Sequence, residues 1–392
     1  AVYIGAKYFS LRSKTQNFTI EELIEAVDYS HKFGKKVYLA TNIFFHDSHF
    51  EKFKIFLNNI KDIPIDGLII TDIGAIVYVR ENYPYFSIHL STQANTTNSE
   101  SCKFYEKIGV KRIILARELS LEEIKIIRKN VNLELETFIH GAMCISYSGR
   151  CLLSNYFTNK SLYRKNEKIG EMKKVETRDA NLGDCSQSCR WEYYLVEKTR
   201  KNQFLEIGED DNGTFILSSK DLNLSSHIPQ LISAGINSFK IEGRMKSIYY
   251  ISNVTRVYRK IIDCFYNNQT IDNEFLDELN KVSHREYCTG FYFDENKALL
   301  PTKTNEYTRE SLFLGYILDV VNDTTYLAKS ANQILKNYKI EVIDPERNYI
   351  LENYELYYDD KIVDEIKPNE FFYLKTNTKL KPFCILRTDN NL

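Results

Sequence analysis

The first 262 residues repeat one pattern, in which a short apolar run is followed by an amphipathic segment of ten to fifteen residues. In IEELIEAVDYSHKFG and SHFEKFKIFLNNI the apolar residues recur at three- and four-residue steps, as in helices that pack on a sheet. Repeated strand–helix units need parallel strands, so the pattern predicts an α/β fold. The predicted strands are Val2–Gly5, Lys36–Thr41, Gly67–Thr71, Ser87–Ser91, Arg112–Ala116, Leu133–Ile139, Phe215–Ser218 and Ser238–Glu242.

The number and regular succession of these strands favour a TIM-type (β/α) barrel over an open doubly wound sheet. No G-x-G-x-x-G motif follows an early strand, which argues against a dinucleotide-binding fold. From about residue 283 the pattern changes to short alternating runs such as LFLGYILDVV, TTYLAKS and EFFYLKT. We therefore expect a barrel over residues 1–282 and a small C-terminal β-barrel domain over residues 283–392. Such small barrels bind RNA or pack on a partner domain.

The overall charge is balanced, with 52 lysines and arginines against 53 acidic residues. This balance excludes a globally basic binder of polyanions and leaves only local basic patches. One such patch is the lysine-rich insert at 160–178, which is either a solvated loop or a phosphate contact. No apolar run approaches the roughly 20 residues that span a bilayer, and no signal-peptide pattern is seen. We expect a cytoplasmic protein with no membrane partner.

Residues 136–191 carry four of the eight cysteines, namely Cys144, Cys151, Cys185 and Cys189. Small and polar neighbours let the backbone turn tightly there, as around a metal. Iron–sulfur clusters accept irregular spacing, whereas structural zinc usually needs pairs two to four residues apart, which the first two cysteines do not provide. Unrelated buried or redox thiols are a third interpretation. A disulfide framework is least favoured, because a chain of this length can bury a large core without one.

Five stretches occur in a distinctive order: STQANTTN at 91–98, LARELSLEEI at 115–124, HGAMCISYSGRCLLS at 140–154, CSQSCRW at 185–191 and KIEGRMKS at 240–247. In these stretches the chain resembles the collagenase-like U-32 peptidase family, especially its tRNA-hydroxylating branch. The resemblance implies a 4Fe–4S cluster on Cys144, Cys151, Cys185 and Cys189. It also implies an RNA hydroxylase that converts the wobble uridine of tRNA to 5-hydroxyuridine, with prephenate as the hydroxyl donor.

The chain departs from that family in two places. The family begins one strand and one helix earlier, so we expect the barrel to lack its first strand–helix unit. The insert at 160–178 is longer than in the branch, and we expect it to form a surface loop.

Barrel enzymes place their chemistry where the strands end, so polar residues just after each strand are site candidates. We predict catalytic roles for His140, Arg150, Glu242 and Arg244, and substrate-binding roles for Asn42, Gln93, Arg117 and Lys240. An arginine fork matches a dicarboxylate or a tRNA phosphate. A structural salt bridge to Glu118 or Glu242 would explain Arg117 or Arg244 equally well. His140 either binds backbone at its strand end or acts beside the cluster or the substrate.

Three other functions stay open: a collagenase-like peptidase, hydroxylation of ribosomal RNA, and a non-catalytic tRNA-binding factor. The chain contains neither H-E-x-x-H nor G-x-S-x-G, so its motifs offer the peptidase little support. The expected partners are tRNA and prephenate, and a partner protein or a homo-oligomer is left open.

Overall fold

The structure is a computed structural model that describes residues 1–11, 17–144, 146–158, 178–191, 209–210, 213–214, 220–293 and 307–389. Nearly all of the insert at 160–178, and the whole predicted strand Phe215–Ser218, lie outside the described residues. The chain divides into two compact units. Unit 1 comprises Ala1–Met245 with Glu286–Asn305, and unit 2 comprises Lys246–Arg285 with Glu306–Leu392.

Unit 1 alternates strands and helices along most of its length. Its strands are β1 (Val2–Gly5), β2 (Val37–Thr41), β3 (Gly67–Ile70), β4 (Ile88–Leu90), β5 (Arg112–Ile114), β6 (Glu134–Ala142), β7 (Glu209–Asp210), β8 (Gly213–Thr214), β9 (Asp221–Asn223), β10 (Ser238–Ile241) and β11 (Tyr287–Cys288). Its helices are α1 (Ile20–Lys32), α2 (Asp47–Ile60), α3 (Ile73–Asn82), α4 (Ser99–Lys107), α5 (Leu121–Asn130), α6 (Leu153–Thr158) and α7 (Ile228–Ser233). Nine of these strands form one sheet, and β7 pairs with β8 separately.

The sheet of unit 1 is parallel from β1 to β6, in chain order. Strand β10 adds to β6 in parallel, and β9 pairs with the last residues of β6 in antiparallel orientation. Strands β2 and β3 are buried along their whole length, because helices cover a parallel sheet. Between β1 and β10, both within the described residues, there is no backbone ladder. A hydrogen bond of 3.0 Å from the Tyr3 hydroxyl to the Glu242 carboxylate links them.

The helices of unit 1 begin at polar caps. Thr19 and Ser120 each form a capping box, in which the cap oxygen accepts the amide of Glu22 or Glu123 and that glutamate accepts the cap amide. Capping fixes where α1 and α5 start, and so where the preceding strand ends and its loop is placed.

These features confirm the predicted α/β class with a parallel sheet. Seven predicted strands match β1 to β6 and β10, and the closed TIM-type barrel stays a prediction. Strand β9 was missed, because Asp221–Asn223 contains a single apolar residue and shows no alternation.

Unit 2 begins with α8 (Ile248–Tyr266) and α9 (Asn273–Asp277) and continues as an antiparallel β region. Its strands are β12 (Ser311–Asn322), β13 (Thr325–Ser330), β14 (Ile334–Leu335), β15 (Glu341–Ile343), β16 (Asn348–Ile350), β17 (Glu355–Tyr358), β18 (Lys361–Val363), β19 (Glu365–Ile366), β20 (Phe371–Lys375) and β21 (Ile385–Asp389). Eight of them form a sheet in the order β16-β15-β21-β12-β13-β20-β17-β18. Strands β14 and β19 form a separate pair. The β-rich C-terminal region is therefore confirmed.

A buried ion pair ties the helical segment of unit 2 to its sheet. Both terminal guanidinium nitrogens of Arg387 bind the Glu278 carboxylate, at 2.7 and 2.8 Å, and Arg387 is fully buried. The same carboxylate accepts a hydrogen bond from Arg256 at 3.1 Å. These contacts explain why residues 246–285 group with the sheet. The two compact units do not coincide with the predicted domains, 1–282 and 283–392, because residues 246–285 belong to unit 2. The domain boundary stays a prediction. In the described parts of the chain, no helix has the length and apolarity to span a bilayer.

Candidate active site

A cavity lies at the carboxyl ends of the parallel strands of unit 1. Its volume is about 70 Å³, room for a few water molecules or for one carboxylate group, and it is partly open to solvent. Six of the predicted site residues line it together: Asn42, Gln93, Arg117, Lys240, Glu242 and Arg244. They come from the ends of four strands, β2, β4, β5 and β10, as expected where parallel strands finish at one edge of a sheet.

Arg117 is the cavity residue with the most uncommitted hydrogen-bonding capacity. One terminal nitrogen donates to the Ala142 carbonyl at 3.2 Å, and the guanidinium carbon lies 4.1 Å from the centre of the Phe138 ring. Its Nε is buried and has no hydrogen-bond partner. Glu118 instead accepts hydrogen bonds from the amide and hydroxyl of Ser148, so the alternative salt bridge with Arg117 is not formed among the described residues. Arg117 can therefore receive an anion.

Lys240 forms a salt bridge with the buried carboxylate of Glu136. Its ammonium lies 3.0 Å from Glu136, which also accepts hydrogen bonds from Ser238 at 2.7 Å and Arg112 at 3.3 Å. Burial alone would raise the pKa of Glu136, but the charge of Lys240, the Ser238 hydroxyl and Arg112 more than offset it, and the pKa is lowered. Lys240 also lies 4.3 Å from the centre of the Tyr3 ring. Its charge is thus neutralised within unit 1.

Asn42 and Gln93 supply neutral polar groups to the same wall. The Asn42 side-chain oxygen accepts a hydrogen bond from the Leu11 backbone amide at 3.2 Å, and its side-chain nitrogen donates one to the Ser91 hydroxyl at 3.2 Å. The two bonds fix the orientation of the Asn42 side chain. The Oε1 of Gln93 is buried without a hydrogen-bond partner. A buried polar atom of this kind costs about 1–3 kcal/mol unless a ligand or water satisfies it. Gln93 and Arg117 therefore both have capacity for a ligand.

Glu242 and Arg244 follow β10. Arg244 donates to the Ser10 hydroxyl at 2.5 Å, to the Leu11 carbonyl at 2.8 Å and to the Asn17 side chain at 2.6 Å. These bonds tie the end of β10 to the loop after β1, so the guanidinium positions this loop at the cavity edge.

Two predicted catalytic residues do not line the cavity. His140 is 1% exposed on β6, its ring lies 5.4 Å from that of Tyr287, and its carbonyl accepts the Glu242 amide. Arg150 is exposed, and its Nε donates to the Gln93 carbonyl at 3.2 Å. Arg150 thus contacts the cavity wall from outside, and the functional roles of both residues stay predictions.

The cysteine segment adjoins the same wall. The Asn181 side chain bonds both backbone groups of Cys151, at 3.2 and 3.0 Å, and the Asn181 carbonyl accepts the Phe44 amide at 3.3 Å. Arg178 donates to the Cys185 carbonyl at 2.9 Å. The segment around Cys151 and the segment around Cys185 are therefore held on each other and on the loop after β2.

Among the described residues, none of these four cysteines forms a disulfide. The backbone amide of Gln187 donates a hydrogen bond to the Sγ of Cys185 at 3.3 Å. Within the described ranges, no three His, Cys, Asp or Glu side chains are placed to hold one metal ion.

Tyr3 and Phe138 also line the cavity and were not among the predicted site residues. Tyr3 and Phe138 lie within strands, where a search restricted to strand ends does not find them. Their two-residue alternation within β1 and β6 could have indicated inward-facing side chains.

Comparison with known proteins matches residues 1–300 to the family model described as peptidase family U32. The tRNA hydroxylation protein P1 of Bacillus subtilis (strain 168) is 36% identical over 396 residues, which cover 99% of this chain and 89% of that protein. The tRNA hydroxylation protein P of Escherichia coli (strain K12) is 36% identical over 331 residues, 74% of this chain and 69% of that protein. A synthase of 5-hydroxycytidine in 23S rRNA from the same E. coli strain is 34% identical over 300 residues, 73% of this chain and 41% of that protein.

Proposed function

The chain belongs to peptidase family U32, and from this premise we propose that it hydroxylates tRNA. The observation that carries the proposal is the similarity, over 99% of the chain, to a protein named for tRNA hydroxylation. The polar cavity at the strand ends supports an enzyme rather than a passive binder, since unsatisfied polar atoms converge there. Substrate and enzyme would then meet in the cytoplasm.

We propose, more finely, that the wobble uridine becomes 5-hydroxyuridine and that prephenate donates the hydroxyl group. Prephenate carries two carboxylates. Arg117 has free donors for one of them, and the cavity has room for one such group. Gln93 would orient the bound acid, while Glu136 holds the neighbouring Lys240 in place. Glu242, held by the Tyr3 hydroxyl, would accept a proton at its carboxylate.

We propose that Cys144, Cys151, Cys185 and Cys189 hold a 4Fe–4S cluster. The donor set supports this, because none of the four is in a disulfide among the described residues, two tethered segments carry them, and a backbone amide donates to the Sγ of Cys185. When bound, such a cluster supplies iron that can accept electrons or an oxygen ligand. Asn181 and Arg178 would position the two cysteine segments beside the cavity wall.

Unit 1 would form the TIM-type barrel of this enzyme, and unit 2 a small β-barrel domain. The parallel succession from β1 to β6, and the link between Tyr3 on β1 and Glu242 after β10, support the first assignment. These two assignments are compatible with binding of a partner protein or of a second copy of the chain.

The test is nucleoside mass spectrometry. The chain is expressed in cells that lack their own tRNA uridine hydroxylases, with and without a prephenate supply, and tRNA and ribosomal RNA are digested separately. We expect 5-hydroxyuridine in tRNA when both enzyme and prephenate are present. Unmodified tRNA together with cleavage of gelatin by the purified chain would contradict the proposal and favour a peptidase.

Hydroxylation of ribosomal RNA is the second candidate, favoured by the similarity to the E. coli protein named for 5-hydroxycytidine in 23S rRNA. The same digestion separates the two. A hydroxylated nucleoside confined to the ribosomal fraction would identify this second function.

A further inference from the structure

Strand β20 in unit 2 exposes an aromatic face. Its residues alternate regularly, so that Phe372 and Leu374 are buried in the core of unit 2 while Phe371, Tyr373 and Lys375 face outward. Phe371 is 58% exposed and Tyr373 is 39% exposed. Because the core is complete without them, the folding of unit 2 does not explain two large exposed rings side by side.

The strand register extends this face across three neighbouring strands. Tyr357 on β17 lies directly opposite Tyr373, and Lys329 on β13 lies directly opposite Phe371. Tyr316 on β12 lies in turn opposite Lys329. Neighbouring strands are about 4.8 Å apart, and outward residues on one strand are roughly 6.8 Å apart. The four rings and the two lysines therefore lie on the same side of the sheet, on neighbouring strands. We call Tyr316, Lys329, Tyr357, Phe371, Tyr373 and Lys375 the outer aromatic face.

Two cations of the outer aromatic face lie against its rings. The Lys329 ammonium is 5.1 Å from the centre of the Phe371 ring, and the Lys375 ammonium is 5.7 Å from that of Tyr357. The acidic turn at Asp359 and Asp360 lies beyond β17, at one edge of the sheet. Glu355 on β17 lies directly opposite Lys375 and accepts a hydrogen bond from the Tyr357 hydroxyl at 3.0 Å. Negative charge on a ligand is thus favoured near Lys329 on β13 and disfavoured beside Glu355 and past β17.

The combination of rings and lysines discriminates between classes of partner. Protein–protein interfaces are enriched in aromatic residues but depleted in lysine. Proteins that bind unpaired nucleic acid present aromatic rings on a sheet, on which bases stack, with cations beside them for the phosphates. The outer aromatic face matches the second description.

We propose that the outer aromatic face binds unpaired bases of RNA, with Phe371 and Tyr373 stacking on two bases and Lys329 and Lys375 contacting phosphates. The outer aromatic face lies in unit 2, outside residues 1–300 that the family model matches. The proposal rests on the proposed function only in naming tRNA as the RNA.

The experiment measures equilibrium binding of the purified full chain to unfractionated tRNA and to a short single-stranded oligouridylate. The test variant combines Phe371→Ala with Tyr373→Ala. The control is Tyr266→Ala, which removes an equally exposed ring (67%) from the end of helix α8 in unit 2. Stacking on one ring changes affinity by a factor of about 5 or more. We expect the test variant to bind both RNAs at least 5-fold more weakly than the control, and Tyr373→Phe to bind like the wild type.

The lysines give an independent readout. Lys329→Gln and Lys375→Gln should each reduce the slope of log affinity against log salt by roughly 0.7, the value for one contact to a single strand. Lys336→Gln, which removes a lysine paired with Asp364 elsewhere in unit 2, should leave the slope unchanged.

Two results would overturn the proposal: RNA affinity of the test variant equal to that of the Tyr266→Ala control, or salt slopes of both lysine variants equal to that of Lys336→Gln. Failure of the proposed function is seen separately. In that case tRNA carries no hydroxylated uridine, yet the aromatic variant still loses RNA affinity.

Discussion

The buried carboxylate of Glu136 allows the strongest quantitative prediction. It is 5% exposed and contacts two cations, Lys240 at 3.0 Å and Arg112 at 3.3 Å, together with the Ser238 hydroxyl at 2.7 Å. The substitution Glu136→Gln preserves the side-chain shape and one acceptor oxygen but removes the charge. The ammonium of Lys240, whose side chain is 10% exposed, is then left buried without a counter-charge.

The magnitude follows from these contacts. Removing one member of a buried ion pair costs about 3–5 kcal/mol. The lower end applies here, because Arg112 keeps its 2.6 Å salt bridge to Glu134 and the amide oxygen can still accept from Ser238. We expect the free energy of unfolding to fall by about 3 kcal/mol. At an urea dependence of about 3 kcal/mol per molar, the unfolding midpoint should decrease by roughly 1 M.

The assay is urea unfolding followed by fluorescence of Trp191, the single tryptophan, which belongs to unit 1. The control is Glu122→Gln, whose exposed salt bridge with Lys125 contributes under ~1 kcal/mol. The folded-state pKa of Glu136 lies below the ordinary 4.5, so its stabilising charge is present above pH 4.5 and is lost as pH falls through the folded pKa. The difference between wild type and Glu136→Gln should therefore shrink below pH 4.5. A loss no larger than that of Glu122→Gln, or a difference independent of pH, would refute the reasoning.

Three further predictions concern the site. Arg117→Lys should raise KM for prephenate about tenfold or more and leave KM for tRNA unchanged, because it removes a fork worth about 1.5–3 kcal/mol; equal effects on both substrates in steady-state kinetics would contradict this role. Cys185→Ala should abolish iron bound after anaerobic purification, whereas Cys288→Ala should retain it; iron and sulfide analysis in which both keep iron would refute the ligand assignment. Gly141→Ala should lower the free energy of unfolding in urea by about 1–3 kcal/mol more than Gly34→Ala. Both glycines have positive φ, but a Cβ on Gly141 would lie 2.5 Å from a backbone carbonyl oxygen, whereas one on Gly34 would have no atom within 4 Å. Equal losses would show that the close approach is unimportant.

The positions of the strands along the chain could be predicted from the sequence, because they depend on the local pattern of apolar residues. The runs that became β1 to β6 are apolar and bounded by helices, so hydrophobic periodicity alone locates them. Strand β9 depends on the tertiary context: Asp221–Asn223 is a strand because the end of β6 offers it unpaired backbone groups. Such pairing leaves no signal in three residues.

The sequence allowed us to predict which residues lie at the strand ends, but not which way their side chains point. Polar residues at strand ends, such as Asn42 and Gln93, gather at one cavity because parallel strands finish at one edge. His140 has the same kind of position, yet its side chain packs against Tyr287 away from the cavity. Which way a side chain points at a strand end depends on the local bulge and on its neighbours. The sequence does not encode these at short range.

The three cationic residues of the cavity, Lys240, Arg244 and Arg117, differ in how many contacts they already make within the protein. Lys240 is neutralised by Glu136, and Arg244 donates three hydrogen bonds to the loop after β1. Arg117 makes one hydrogen bond and stacks on an aromatic ring, and in the described chain no carboxylate pairs with it. Desolvating a guanidinium without a counter-charge is unfavourable, so a protein retains one at a cavity when a ligand completes the pair. One arginine with unused donors and room for one carboxylate fit a single acidic group, so the proposed dicarboxylate donor would keep its second carboxylate outside this cavity.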